Sequence, residues 1–424
     1  MQLVILAGGK GTRLGLTDVP KPMAEVAGKP LLEWQIELAR RYNIRDIFIL
    51  SGYLSNVIVD YFGDGSKWGV NIKHIIEETP LGTAGGLRLI KDELKERFLV
   101  FYGDIVMDFD IDVFIDFDRQ DVASYGTLLV HPNSHPYDSD LLDVDKDSYV
   151  TGLIPKTRPA GGVYNNLVNA AVYILSPKIL GFIADDTLSD FGKDIFPALL
   201  AANKQLRAYR TAEYVMDMGT KERLEKATNA IASGHVARLN RQNKRSAVFL
   251  DRDGVINKDL DTDISYNNFE LLPNAAKAIA LINNSGYLCI VVTNQPFLAK
   301  GFLTFEELAR IHKKMETLLG VERAYIDAIY YCPHHPERGF SGEVAELKID
   351  CECRKPKAGM LFAAQRDYNI DLHNSWLIGD RDADIQAGRT AGCQCILVDN
   401  EKIDILNAVH YILEVAGDNN QNTV

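Results

Sequence analysis

Asp251 and Asp253 stand where an apolar run, Val248-Phe-Leu250, gives way to Gly254-Val-Ile-Asn257. A strand that ends there has left strict alternation, so both carboxylates can face one pocket at the carboxyl edge of a sheet. Carboxylates so placed are suited to proton transfer and covalent attack. Asp104 follows another apolar run, Phe98-Leu-Val-Phe-Tyr102, through Gly103, and Asp217 opens Asp217-Met-Gly-Thr220. A softer cluster is Cys332-Pro-His334-His335 with Cys351-Glu-Cys353. Two clips joined by a loop supply three thiolates and one imidazole, a closed tetrahedral set suited to structural Zn²⁺. Elementary chemistry does not choose between the adjacent histidines. Cys289, Cys393 and Cys395 lie in or near apolar runs and read as small buried hydrophobes.

The chain opens on Leu3-Val-Ile-Leu6 and then Ala7-Gly8-Gly9-Lys10-Gly11-Thr12-Arg13, a turn whose missing side chains let backbone N–H groups approach phosphates while Arg13 adds charge. A tight strand-to-helix turn alone would also explain the glycines. Pro20-Lys21-Pro22-Met23, Leu81-Gly82-Thr83-Ala84-Gly85, Gly103-Asp104 and Asp217-Met-Gly-Thr220 follow in order. Together these closely resemble the sugar-1-phosphate nucleotidyltransferases across nearly all of residues 1–230. The resemblance implies attack by a sugar phosphate on the α-phosphorus of a nucleoside triphosphate, in which two polyanions must be held together by converging cations. It implies that Gly8, Gly9, Gly11, Thr12 and Arg13 hold the triphosphate, that Gly82 lines the substrate site, and that Lys21 bridges the α-phosphate and the sugar phosphate. Asp104 and Asp217 would share Mg²⁺. Asn169, in Val168-Asn-Ala-Ala, matches the strand whose asparagine contacts sugar hydroxyls. At Asp190-Phe-Gly-Lys193-Asp194 glycine precedes the lysine where many relatives have glutamate, which keeps Lys193 as a phosphate contact but leaves the sugar open. Glu77 or Glu78 sits where relatives read the base. A carboxylate there, assigned to Glu78, could accept the N1–H and N2–H₂ donors of guanine, which favours GTP.

The Asp251-Arg-Asp253 motif resembles the first motif of haloacid-dehalogenase-type phosphatases, in which the first aspartate takes the phosphoryl group and the second is acid and base. Thr293-Asn294-Gln295, Arg354-Lys355-Pro356 and Gly379-Asp380-Arg381-Asp382-Ala383-Asp384 follow in the family's order. By that resemblance Thr293 and Asn294 hold phosphate oxygens, Lys355 offsets the gathering charge, and Asp380 binds Mg²⁺ with Asp251 and the backbone carbonyl of Asp253. With the Cys-x-His and Cys-x-Cys loop, residues 247 to about 412 are similar to the heptose-1,7-bisphosphate 7-phosphatases and their histidinol-phosphatase cousins. The resembling family selects His334, giving a zinc set of Cys332, His334, Cys351 and Cys353. The loop would steady the substrate-facing Arg354, with Arg381 also at the substrate. Pro296-Phe-Leu-Ala-Lys300 replaces the usual Ser-Gly-Ile-Ala-Arg, and Arg381 stands where lysine is common, so anomer preference stays open.

These residues need scaffolds that present strand ends. Apolar runs alternate with helical periodicity at Leu3 to Ala7, Leu31 to Tyr42, Asp46 to Leu50 and Ile72 to Ile76, and again after Ala247, the rhythm of parallel sheets. The expectation is α/β: two doubly wound Rossmann-like domains, a nucleotidyltransferase fold over 1–232 and a haloacid-dehalogenase-like fold with a zinc loop over 247–415. A linker fills 233–246, and the polar stretch 416–424 reads as a disordered tail. The 424 residues, 46% hydrophobic and 25% charged, suffice for two such cores, and the net charge of −12 predicts no nucleic-acid partner. An apolar start without a basic flank, no membrane-length run and clustered cysteines predict a cytoplasmic chain without a membrane partner, in which homo-oligomers are allowed. Removing the 7-phosphate from heptose 1,7-bisphosphate leaves heptose 1-phosphate, which the first half would couple to GMP. Alternatives are a hexose 1-phosphate such as mannose 1-phosphate with an unrelated small phosphoester, and a non-catalytic regulatory head.

Overall fold

The computed structural model describes residues 1–9, 11, 14–158, 161–185, 187–259 and 265–421. It divides into two compact units: Met1–His131, Leu142–Ile154 and Asn169–Asn240 form the first, and Pro132–Leu141, Pro155–Val168 and Arg241–Val424 the second.

In the first unit, β1 (Leu3–Leu6), β2 (Asp46–Ser51), β3 (Asn71–Ile76) and β4 (Phe98–Tyr102) are parallel in the spatial order β4-β1-β2-β3. Leu3, Val4, Ile5, Leu99, Val100 and Phe101 are all inaccessible to solvent, as parallel strands covered on both faces require. Between them run α1 (Leu31–Arg41) and α2 (Ser55–Phe62). In α1, Leu31, Leu32, Gln35, Ile36, Leu38 and Ala39 form the buried face, while Glu33 in the first turn and Arg40 and Arg41 in the last suit the helix dipole. Then come β5 (Ile105–Asp108), α3 (Ile111–Arg119), β6 (Gly126–His131), β7 (Leu141–Val144), β8 (Val150–Ile154), β9 (Val168–Leu175), β10 (Leu206–Arg210), β11 (Tyr214–Asp217) and α4 (Lys221–Ala232). Antiparallel β9 joins β4, and β6, β7, β8 and β10 extend the sheet to nine strands among the described residues. Strands β5 and β11 form a separate antiparallel ribbon. The strand order reverses between β1 and β4, which opens a crevice at their carboxyl ends.

The second unit contains β12 (Ala247–Leu250), α5 (Ala275–Ser285), β13 (Leu288–Asn294), α6 (Phe305–Val321), β14 (Ala328–Cys332), α7 (Gly359–Tyr368), β15 (Trp376–Gly379), α8 (Asp382–Ala391), β16 (Gln394–Leu397) and α9 (Ile405–Gln421). Its five strands are all parallel, in the order β14-β13-β12-β15-β16, and the order reverses between β12 and β15. Helix α6 starts on a capping box of Thr304 and Glu307. Within this unit, Tyr164 N donates to Thr317 Oγ1 (3.0 Å) and Asn166 N to Glu316 Oε2 (3.1 Å), which ties Tyr164 and Asn166 to α6.

Both units are α/β, as the alternating apolar runs predict, the first on a mixed sheet with a parallel core and the second on a parallel sheet. Two elements lie within the segments expected as linker and tail. Residues 235–239 of the expected linker form a short helix. The polar segment expected as a tail continues α9 through Gln421, because a helix anchored by buried Ile405, Ala408, Val409 and Ile412 adds residues at little further cost.

Candidate active sites

At the first crevice the glycine turn leaves the end of β1, and Lys21 N donates to Gly9 O at 3.3 Å, so the turn wraps the start of the Lys21 segment. Lys21 is buried and its Nζ donates to Asp104 Oδ2. Met218 N donates to Asp104 O (2.8 Å), and Asp217 faces Ile105 across the β5–β11 ladder. Asp104, in the turn just before β5, and Asp217, at the end of β11, are 113 positions apart (217 less 104) and are brought together by this pairing. Arg223, one turn into α4, donates from Nη1 to Asp217 Oδ2. Each acidic group thus already faces a cation of this chain.

Gly82 has φ +80°, and a Cβ there would collide with the carbonyl oxygen of Ser189, so the loop after β3 lies directly against residues 189–195. Asp190 locks the contact. Its Oδ2 accepts from Thr83 Oγ1 (3.0 Å), its Oδ1 accepts from Gly192 N (2.9 Å) and Lys193 N (3.1 Å), and Phe191 N donates to Thr83 Oγ1 (3.0 Å). The Lys193 side chain is exposed. Asn169 is half-buried in β9, and its Oδ1 accepts from Ala171 N (3.0 Å). Glu77 Oε2 accepts from Leu81 N (3.3 Å), and burial pushes its carboxyl up, whereas Glu78 is exposed. Gly8 and Gly9 are exposed beside Gly11; the calls on Thr12 and Arg13 lie outside the described residues.

The second crevice gathers its charges inside the protein. Asp251 leaves the end of β12 and Asp380 the end of β15, and a cluster of carboxylate oxygens from Asp251, Asp380 and Asp384 falls within 4.8 Å. Lys355 Nζ sits 2.9 Å from Asp251 Oδ1 and 2.6 Å from Asp384 Oδ1. Asn294 braces this lysine at both ends of its amide: Nδ2 donates to Lys355 O (3.1 Å) and Oδ1 accepts from Lys355 N (3.1 Å). Thr293 is fully buried, its Oγ1 accepting from Gln295 Nε2 (2.9 Å). Arg381 pairs with Asp259 and lies 3.8 Å from Asp380. Gly254, at φ +81°, has no room for a Cβ because the Asp380 carboxylate occupies that space.

Burial sets the electrostatics of this site. It pushes the Asp251 carboxyl up to about 7, with Lys355 opposing and Asp384 reinforcing. Burial and then Asp384 raise Asp380 to about 6 against Arg381. Burial alone would lower Lys355, but Asp251 and Asp384 hold it above the ordinary lysine value. Three crowded carboxylates around one ammonium are short of positive charge, which is the donor set a divalent cation completes. Asp253 is turned differently: burial raises its carboxyl, but Arg252, Asn257 and Gln295 more than offset this and hold it below the usual range.

The Cys/His loop closes into a cage. Sulfur to sulfur distances are 3.5 Å for Cys332–Cys351, 3.2 Å for Cys332–Cys353 and 3.2 Å for Cys351–Cys353. His334 Nδ1 lies 3.7 Å from Cys332 Sγ and 3.3 Å from Cys353 Sγ. A tetrahedral Zn²⁺ with Zn–S bonds of about 2.3 Å needs edges of roughly 3.8 Å, so this set fits after a small expansion. His334, not His335, completes the cage. Arg354 Nη1 donates to His334 O (3.3 Å), which links the cage to the lysine loop.

Comparison with known proteins finds relatives of both units. A nucleotidyl transferase family model covers residues 2–234, more than half of the chain, and a HAD-hydrolase-like model covers residues 352–410. The chain belongs to the nucleotidyl transferase family. A Burkholderia mallei protein named D-glycero-alpha-D-manno-heptose-1,7-bisphosphate 7-phosphatase is 41% identical over 149 residues, 35% of this chain and 77% of its own length. A Yersinia pestis protein named as the beta-anomer 7-phosphatase is 39% identical over 145 residues, 34% of this chain and 75% of its own length. The crystal structure of HddC from Yersinia pseudotuberculosis aligns with a TM-score of 0.48 at 28% identity, covering 54% of this chain and 99% of that one. The protein is thus an enzyme with a nucleotidyltransferase unit and a HAD-like phosphatase unit related to the heptose bisphosphate phosphatases. Among the described residues no helix is long and apolar enough to cross a membrane.

Several residues of this nucleotidyltransferase-phosphatase were missed by sequence reasoning. Asp384 joins the phosphatase carboxylates; its spacing of four from Asp380 carries it one turn into α8, back toward Lys355. Asp190 and Thr83 join the two loops of the transferase unit, and an aspartate two residues before glycine at a helix start was the available sign. Arg252 was assigned no role, and no local pattern marks it as buried.

Proposed function

We propose that this enzyme makes a nucleotide-activated heptose in two sequential steps, one per unit. The phosphatase unit would remove the 7-phosphate of D-glycero-D-manno-heptose 1,7-bisphosphate, and the transferase unit would join the resulting heptose 1-phosphate to GMP from GTP, releasing pyrophosphate. The observation that carries this reading is the pairing of a buried Asp251–Lys355–Asp384 cluster, in a unit related to proteins named as 7-phosphatases, with a unit of the family that consumes sugar 1-phosphates. The product of the one reaction is the substrate class of the other.

In the phosphatase step an Asp251 oxygen attacks phosphorus and the bond to the sugar oxygen breaks, while Asp253, whose carboxyl the negative charge of the arriving phosphate would raise, supplies a proton to that oxygen. Asp253 then takes a proton from the water that attacks the aspartyl-phosphate, returning Asp251 free and releasing phosphate. Mg²⁺ held by Asp251, Asp380 and Asp384, with the Asp253 carbonyl, would neutralise the phosphoryl oxygens, as it would between Asp104 and Asp217 in the transferase. Lys355 counters the charge on the attacking carboxylate, Thr293 and Asn294 serve the phosphate, and Arg354 and Arg381 meet the rest of the substrate. Zinc in the cage would fix the Arg354–Lys355 loop without touching the reaction. In the transferase step Lys21 and Arg13 bring the two polyanions together over Gly8, Gly9, Gly11 and Thr12. Gly82, Asn169 and Lys193 line the site, and exposed Glu78 accepts the donors of guanine.

The test is to incubate the whole protein with each anomer of heptose 1,7-bisphosphate and each nucleoside triphosphate, and to identify products by mass and NMR. GDP-heptose from one anomer is expected. Heptose 1-phosphate with no nucleotide product from any triphosphate would overturn the coupled reading.

A further inference from the structure

Arg252 follows the aspartate that attacks and precedes the one that moves protons, and its guanidinium, with 2% exposure, is among the largest fully buried side chains of the described residues. Its Nη2 donates to both carboxylate oxygens of Asp253, at 2.8 and 2.9 Å, and Nε adds a contact to Oδ1 at 3.1 Å. The remaining nitrogen, Nη1, meets His312 Nε2 at 3.3 Å. Gln295 Nε2 and Asn257 Nδ2 complete the shell around Asp253 at 2.8 and 2.9 Å. Asp253 therefore sits in a ring of donors, apart from the carboxylates that converge on the cation site. A flat fork that grips both oxygens fixes the rotation of a carboxylate, which a single-point lysine cannot do.

We propose that Arg252 and His312 are positioning residues for phosphatase proton transfer: the imidazole on α6 holds the guanidinium in plane, and the guanidinium aims Asp253 at the oxygen that leaves and the water that enters. His312 is buried in α6, with its ring 5.8 Å from that of Tyr331. Nε2 must accept, so the proton belongs on Nδ1; burial and Arg252 push its pKa down to about 3, which keeps it an acceptor throughout the working pH range. The Arg252 backbone N donates to Asp251 Oδ1 (2.7 Å), but its side chain acts through Asp253, and His312 acts through Arg252. Their effect should appear in proton-dependent steps and leave binding alone. The proposal rests on the reading of Asp253 as acid and base.

The experiment uses the full-length protein loaded with Mg²⁺ and Zn²⁺, in the variants Arg252→Lys, His312→Phe, His312→Gln and Asp253→Asn. Two phosphate monoesters are compared: an alkyl ester, whose leaving oxygen needs a proton, and p-nitrophenyl phosphate, whose phenolate does not. Arg252→Lys and His312→Phe should lower kcat for the alkyl ester on the order of 10²-fold, the usual scale of general acid–base catalysis, with KM within a few-fold. The first-turnover burst of p-nitrophenolate should stay within a few-fold while later turnover slows. His312→Gln, which keeps an acceptor for Arg252, should recover at least roughly tenfold of the loss. Equal losses in the first turnover of both esters, a KM effect with kcat unchanged, or His312→Gln as poor as His312→Phe would overturn the proposal. If Arg252→Lys does not fold, the two His312 variants carry the same comparison. Full alkyl-ester turnover by Asp253→Asn would sink the reading of Asp253 and the proposal with it, whereas a dead Asp253→Asn beside an intact Arg252→Lys would sink the proposal alone.

Discussion

The two crevices occupy the same topological place, the reversal of strand order in a parallel sheet, yet they store charge differently. In the transferase unit Asp104 and Asp217 expose 30% and 48% of their side chains, and each faces a cation of the same chain. In the phosphatase unit the side chains of Asp251, Asp384 and Lys355 are 11%, 2% and 2% exposed. A reaction whose nucleophile is a protein carboxylate needs that carboxylate desolvated and aimed beforehand. A reaction between two bound polyanions can leave its acidic groups open, because substrates and cation bring the charges that organise it. The same crevice thus serves a preformed site in one unit and a substrate-completed site in the other.

The hardest blow to this contrast is Asp251→Asn. Phosphatase turnover should fall by roughly 10⁴-fold or more, as when a covalent nucleophile is removed, while nucleotidyl transfer by the same preparation stays within about twofold. Loss of both activities in a protein that still melts normally would show that the units do not work separately. Lys21→Ala comes next. Nucleotidyl transfer should drop roughly 10²–10³-fold, the scale of removing one preorganised charge contact, with phosphatase rates unchanged; assays of both reactions on one sample decide it.

A smaller effect is expected at the cage. Metal analysis should find one zinc per chain, and Cys351→Ser should lower the melting transition of the phosphatase unit and leave that of the transferase unit in place. A few kcal/mol is a reasonable scale, since structural zinc contributes directly to folding. An unchanged melting profile in a zinc-free variant would remove the structural role.

The smallest effect is in pH. Asp251 at about 7 and Asp380 at about 6 both lie above the ordinary carboxylate value, so the folded protein binds these protons more tightly than the unfolded chain. Their contribution is complete below about pH 4 and is lost as pH rises through 6 and then 7. Mg²⁺ binds the deprotonated form, so its stabilisation should grow across the same window. The gap in Tm with and without Mg²⁺ should widen between pH 5 and pH 8 by a few degrees, given roughly 2–4 °C per kcal/mol for a domain of this size. The gap should widen less in Asp251→Asn, and a gap that narrows with pH would reverse the assignment of burial as the cause.

Much of this was legible beforehand. Strands Phe98–Tyr102 and Ala247–Leu250 lie where uninterrupted apolar runs placed them, because a strand covered on both faces has little choice of composition. Cys332, Cys351 and Cys353 were identifiable because thiolates among Pro, Glu and Arg have few other uses, whereas the choice of His334 over His335 came from the family resemblance. The polar brace of Asn294 on Lys355 and the lock of Asp190 on Thr83 were not legible. Each joins residues 61 and 107 positions apart respectively, and nothing local in either partner states the pairing.

From its residues alone, this chain declared which strand ends carry carboxylates and which loops carry glycine, lysine and thiol, because backbone periodicity and side-chain chemistry are local properties. Which of those groups would be buried, and against whom, was decided only when the sheets closed. Desolvation and donor geometry depend on neighbours brought from far along the chain, and they make Asp251, held beside Lys355, different from Asp253, held by Arg252.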